Sequence, residues 1–135
     1  YLMQQWMVDM VVVGTDRVCK NGDVANKIGT YLKALAAIEH NIPFYVALPS
    51  SSIDWSLEEG GHSIPIETRS NAEIISYDGL VDGVYKTMNL MDHKTPAFNP
   101  GFDITPAKLI TAFITERGIC SAKEEELRKL FPVQR

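Results

Sequence analysis

The 135-residue chain carries little that would staple it, tether it to a bilayer or draw it to nucleic acid. Its two cysteines, Cys19 and Cys120, lie far apart and follow no metal-ligand or redox spacing, which argues against a disulfide scaffold and fits a reducing compartment. No apolar run approaches the roughly 20 residues needed to cross a bilayer, and no signal peptide is visible, so no membrane is expected and cytoplasm is the default location. Lysine and arginine number 13 against 17 acidic residues, with the signs interspersed. A formal charge of -4 without a basic stripe gives no reason to expect nucleic acid as a partner. A small anion remains admissible, because a local site can be positive on an acidic protein. Gly14, Gly22 and Gly29 do not complete G-x-G-x-x-G, and no G-x-x-x-x-G-K-[ST] occurs, which disfavours dinucleotide and P-loop chemistry. His40, His62 and His93 lack ligand spacing and are taken as surface residues, so no metal site is expected. Internal repeats and low-complexity tracts are absent as well.

What is present is an ordinary globular composition, 45% hydrophobic and 22% charged, enough for one domain with a real core. Residues 10–13 are continuously apolar and β-branched, the pattern of a strand covered on both faces in a parallel sheet, and Gly14 ends it. Val24, Ile28, Leu32, Leu35 and Ile38 then recur at three- and four-residue steps, predicting a helix over 23–40 that Asn41 and Pro43 stop. Residues 44–48 repeat the buried-strand pattern. Strand, helix and strand make a βαβ unit, and the fold class expected is α/β with a mainly parallel sheet flanked by helices.

Beyond it runs a Ser/Gly-rich loop with a short extended piece at 64–66, where Pro65 points to an edge. Residues 71–101 are expected to be irregular with short strands. Within residues 103–118 a helix is predicted, capped by Thr105 with Pro106 in its first position, Ile104 stapled to Leu109 and Gly118 ending it. Ser121 and Glu124 match a capping box for a last helix, with Glu124 to Glu126 near its start and Arg128 and Lys129 near its end. Residues 1–7 read as the closing turns of an amphipathic helix, so the chain is expected to be a piece of something larger.

Ligands of an open parallel sheet gather beyond the carboxyl ends of its strands, which singles out Asp16 and Arg17. A carboxylate there, partly shielded from water, can have its pKa raised and serve as a general acid or base. Equally, Asp16 can accept backbone hydrogen bonds in the turn or pair with Arg17. Lys27 falls in the first turn of the predicted helix, where the dipole disfavours a cation by about 0.3 to 1 kcal/mol. An anion would remove that conflict: free N–H groups after Gly22, the Asn26 amide and the Lys27 ammonium together suit a phosphate or sugar phosphate. The plainer alternative is an i,i+4 ion pair between Asp23 and Lys27. Cys19, near Asp16, invites a nucleophile role but has no histidine close in sequence and reads as an ordinary small side chain. Trp55 reads as a loop anchor.

The stretches GTDRV, NGDVANKIGTY, PFYVALP, SSIDWSL, IPIETR, NPGFDITPAKLITAFITERG and LRKLF cover most of the chain, and in this order they resemble the methylthioribose-1-phosphate isomerases of methionine salvage, a branch of methionine biosynthesis. The resemblance implies that residues 1–135 are the C-terminal Rossmann-like domain of a larger isomerase. The implied reaction is the aldose-to-ketose conversion of 5-methylthioribose 1-phosphate to 5-methylthioribulose 1-phosphate, by proton or hydride transfer. It places the family's acid/base residue at Asp16 and its Asn-Lys substrate contacts at Asn26 and Lys27. It further implies no metal or organic cofactor and a homodimer. Thr15 stands where the family has Ala. The family's catalytic cysteine and arginine-bearing loops belong to an N-terminal half that these residues do not include, and Cys19 does not occupy that cysteine's position, so this piece alone is expected to be inactive or nearly so. Regulatory subunits of translation initiation factor 2B are similar and share Asn-Lys-Ile-Gly-Thr-Tyr. Arg17 and Asp23 favour the isomerase over those sensing modules, while an isomerase of a related sugar 1-phosphate, such as 5-deoxyribose 1-phosphate, stays open.

Overall fold

The computed structural model of the chain describes residues 1–61, 63–92 and 94–132. His62 and His93, expected at the surface, lie outside the described residues. In chain order the strands are β1 (Val11–Val13), β2 (Arg17–Cys19), β3 (Val24–Lys27), β4 (Phe44–Ala47), β5 (Ile53–Asp54), β6 (Ser76–Val81), β7 (Val84–Asn89), β8 (Phe102–Thr105), β9 (Ala112–Thr115) and β10 (Gly118–Cys120). Three α-helices accompany them, α1 (Thr30–Glu39), α2 (Ala72–Ile75) and α3 (Glu124–Leu130). Two units form: Tyr1–Pro65 together with the chain from Phe102 onward, and the segment from Ile66 to Gly101.

In the first unit, β1 pairs in parallel with β4 and β4 with β9, while β10 closes that sheet antiparallel to β9. The apolar runs behave as buried strands to different degrees. In β4, Phe44 and Val46 are fully buried and Tyr45 and Ala47 half-buried, whereas β1 is an edge strand whose Val12 is 52% exposed. Phe44, Val46, Phe113 and Leu127 join Ala34 and Ala37 of α1 in the core, and each large side chain so buried contributes about 1.5 to 3 kcal/mol. The small alanines let α1 approach the sheet closely. A second sheet has the order β5, β2, β3, β8, with only the β2–β5 pair parallel. The architecture is therefore mixed α/β with sheets flanked by helices, and the expected mainly parallel sheet is confined to β1, β4 and β9.

Two predicted helices give way to strands. Residues 24–27 form β3, because Gly22 at φ +93° and Gly29 at φ +99° break the backbone on both sides and Val24 and Ala25 are buried between β2 and β8. Helix α1 begins only at Thr30, and β1, α1 and β4 still form the parallel crossover. Residues 102–120 form β8, a single 3-10 turn (Ala107–Leu109), β9 and β10 instead of one helix. Thr105 caps nothing; its side chain is buried in β8 opposite Val24, and Gly118, at φ +125°, opens β10 opposite Thr115 across the Glu116-Arg117 turn. Helix α3 does form with Glu124, Glu125 and Glu126 in its first turn and Arg128 and Lys129 in its last. The capping box does not, since Lys123 is the cap residue and the Ser121 carbonyl accepts its N–H. Among the described residues no helix is long and apolar enough to cross a membrane.

The second unit, expected to be irregular, is built on α2 and a regular hairpin. Strands β6 and β7 pair over six residues each, turned by Asp82 at φ 51° and Gly83 at φ 78°. This is the Asp-Gly turn whose twist matches that of paired strands.

Candidate functional site

The site residues expected from the sequence gather on the β2–β3 hairpin. Asn21 and Gly22 build its turn: the Asn21 side chain accepts the Asp23 N–H at 2.9 Å, the Cys19 carbonyl accepts the Gly22 N–H at 2.9 Å, and Cys19 N–H closes on the Asp23 carbonyl. At the other end Arg17 faces Ala25, and the Asp16 N–H donates to the Ala25 carbonyl at 3.0 Å. The regular register ends there, with Asp16 and Arg17 both against Ala25, and Asn26 and Lys27 follow Ala25 along β3. Thr15 secures the approach. Its hydroxyl lies 2.9 Å from the Ala25 carbonyl and 3.0 Å from that of Arg17, and it accepts the Arg17 N–H at 3.1 Å. The Thr15 hydroxyl thus serves the backbone.

Asp16 is exposed rather than partly shielded. Arg17 turns away to Asp54, 3.4 Å from its guanidinium, so the expected Asp16–Arg17 pair is replaced by a link between β2 and β5. The Ser56 hydroxyl and N–H, and then Arg17, hold the Asp54 carboxyl below the usual aspartate range. Lys27 ends a strand and precedes α1 instead of lying in its first turn. Its ammonium is exposed and lies 5.1 Å over the ring of Phe102. Four residues of strand separate it from Asp23 by about 13 Å, which excludes the i,i+4 pair.

Asp23 has a different task. One carboxylate oxygen accepts the Asn21 amide at 2.9 Å and the Gly60 N–H at 3.0 Å, and the other accepts the Ala107 N–H at 2.9 Å. It ties the hairpin turn to two segments distant in sequence.

The N-terminus of α1, expected to be open to an anion, is filled. Asp103 of β8 accepts the Gly29 N–H at 2.7 Å and the Tyr31 N–H at 3.1 Å. A carboxylate at a helix N-terminus is favoured by about 0.3 to 1 kcal/mol. The Asn26 amide donates to the Thr30 hydroxyl at 3.0 Å, and that hydroxyl donates to the Lys27 carbonyl at 2.7 Å. Asp103 and Thr30 were not singled out from the sequence; their partners lie across strands or turns that only the fold brings together.

Cys19 is fully buried, and burial together with the Asp23 and Asp54 carboxylates pushes its thiol up to about 11, which removes it as a nucleophile. Trp55 packs against the core beneath the Arg128 guanidinium, 5.0 Å from its ring, as an anchor does. Among the described residues no three or more His, Cys, Asp or Glu side chains group as a metal site would. A cleft of about 340 Å³ around Ile42, Pro43, Leu109 and Ile110 includes none of Asp16, Asn26 or Lys27.

Comparison with known proteins places this geometry. Residues 1–122 match the initiation factor 2 subunit family. Over 99% of its length the chain is 56% identical to the methylthioribose-1-phosphate isomerase of Rhodospirillum centenum, of which it spans 36%. The crystal structure of 5-methylthioribose 1-phosphate isomerase from Pyrococcus horikoshii OT3 superimposes with a TM-score of 0.82 at 44% identity, covering 98% of this chain and 35% of that one. The delta subunit of translation initiation factor eIF-2B from A. fulgidus does so at 0.81 and 37%, covering 96% and 35%. The chain thus spans little more than a third of the relatives it matches. Backbone geometry does not separate the enzyme from the translation factor, but sequence and fold agree on what contains both: this chain belongs to the initiation factor 2 subunit family.

Proposed function

We propose that the protein bearing this chain isomerises 5-methylthioribose 1-phosphate to 5-methylthioribulose 1-phosphate, in methionine salvage, with these residues as its Rossmann-like C-terminal domain. The observation that supports the proposal is the hydrogen bond from the Asp16 N–H to the Ala25 carbonyl, which ties the start of β2 to β3 one residue before Asn26 and two before Lys27. Proton transfer and anion contact then share one end of one hairpin. The phosphate on the anomeric oxygen blocks ordinary ring opening, so the enzyme must assist cleavage of the ring before hydrogen moves between C1 and C2. Asp16 protonates the ring oxygen or shuttles the C2 proton, and Asn26 and Lys27 hold the sugar phosphate. Asp16 is exposed in this domain, so its shielding comes from the rest of the enzyme closing over the hairpin. Tyr31, Leu32, Leu35 and Ile38 leave an exposed apolar stripe on α1, which supports pairing as a homodimer.

The test is Asp16→Asn in the natural protein, with ketose formation followed by NMR. Turnover should fall by about a hundredfold or more while the melting temperature holds, since general acid–base catalysis contributes about that much. Retained turnover removes Asp16 from the catalytic role. The match to the eIF-2B delta subunit favours a second reading, a sensing module that binds sugar phosphate without converting it. Binding by the unaltered protein with no turnover would select it. The Asp23 carboxylate is committed to backbone N–H groups and the Asn21 amide, so its part is structural in either reading.

A further inference from the structure

We infer that Asp103, together with Phe102, is a positioning residue for the sugar-phosphate contacts, an inference that rests on the isomerase reading above. Strand β8 runs antiparallel to β3 with Asp103 opposite Asn26 and Phe102 opposite Lys27, so each contact residue has its own cross-strand backing. The Asp103 carboxylate reaches past the strand end to take the N–H groups of Gly29 and Tyr31. These flank Thr30 on both sides. Thr30 is 4% exposed, and its hydroxyl links the Asn26 amide to the Lys27 carbonyl. One carboxylate therefore fixes the residue that fixes Asn26, while the Phe102 ring steadies the Lys27 ammonium from 5.1 Å. Nothing local substitutes for it: Gly29 has no side chain to cap α1, and no acid stands in the first turn of α1.

The arrangement also decides what meets the phosphate. With Asp103 seated on the Gly29 and Tyr31 N–H groups, the helix terminus is already neutralised, and the anion is met by the side chains of Asn26 and Lys27. Asp16 is anchored separately, through Thr15 and Ala25 on the neighbouring strand pair. Loss of Asp103 should therefore weaken substrate binding and leave the proton-transfer step largely intact.

The experiment is steady-state kinetics of the natural protein and its Asp103→Ala, Asp103→Asn and Phe102→Leu variants on 5-methylthioribose 1-phosphate, with calorimetric binding of the same compound and a melting curve for each. Asp103→Ala should raise KM and Kd about tenfold with kcat within about threefold, the size of effect expected when a supporting shell is lost. Asp103→Asn keeps an acceptor oxygen in place and should recover most of the loss; Phe102→Leu should raise KM severalfold. Unchanged KM in a folded Asp103→Ala protein overturns the inference, as does a fall in kcat at constant KM. Where Asp103→Ala fails to fold, Phe102→Leu and Thr30→Val, which removes the hydroxyl between Asn26 and Lys27, decide, and unchanged KM in either overturns it. If the unaltered protein neither binds nor converts the compound, the isomerase reading falls and takes this inference with it, an outcome distinct from binding that is merely indifferent to residue 103.

Discussion

Hairpins β2–β3 and β6–β7 are both turned by a glycine with positive φ, and there the likeness ends. The first is flanked by β5 and β8, and its facing valines, Val18 and Val24, are fully buried. The second has only its own two strands, and every residue of β7 is exposed. A turn dipeptide is enough to specify a hairpin. Rigidity comes from what the strands are packed between, and a two-stranded ribbon alone is marginal in water. The proposed site occupies the hairpin with buried walls, where Asn26 and Lys27 lie in a four-stranded sheet and the Asp16 N–H is tied to it at Ala25.

The contrast can be broken most sharply at the turns. A Cβ on Gly22 would lie 2.5 Å from the Ala122 carbonyl oxygen at φ +93°, so Gly22→Ala should cost about 3 kcal/mol in urea denaturation from overpacking and backbone strain together. Next in size is Asp23→Ala, which strands the Gly60 and Ala107 N–H groups and should cost about 2 kcal/mol by the same measurement. Gly83→Ala meets nothing within 4 Å and carries only the left-handed backbone penalty, about 1 kcal/mol, read from the melting of the β6–β7 hairpin in amide exchange. A result in which Gly83→Ala costs more than Gly22→Ala would reverse the ranking of the two hairpins. The smallest effect is a pH dependence. The Asp54 carboxyl is depressed on folding, so its contribution is present above the ordinary value of 3.8 and is lost as pH falls through the lower folded one. Asp54→Asn should flatten that acid limb slightly, as measured by urea midpoints across it.

Much of the first sheet was legible because its signals are local: the apolar runs of β1 and β4, the stop at Asn41 and Pro43, and the charge order of α3 are each carried by neighbouring residues. The helix predicted over 23–40 was wrong up to Thr30 and the one predicted from Pro106 to Gly118 was wrong throughout, for one physical reason. Apolar residues three and four apart satisfy a helix, but a strand is decided by a partner remote in sequence, and β3 finds its partner in β8. Signals for two of the missed hairpins were present in Asn21-Gly22 and Asp82-Gly83, flanked by strand-forming residues. The Asp103 cap on α1 and the Arg17–Asp54 link had no local signature at all, since their partners meet only after the sheets form.

The buried Cys19 thiol turns the hairpin into its own reporter. Held up to about 11, it is protonated at neutral pH and shut away from water, so an alkylating reagent reaches it only when β2 opens. The rate of labelling, mapped by mass to this cysteine and not Cys120, therefore counts openings of the wall behind the proposed site in unmodified protein, and a bound sugar phosphate should slow the count.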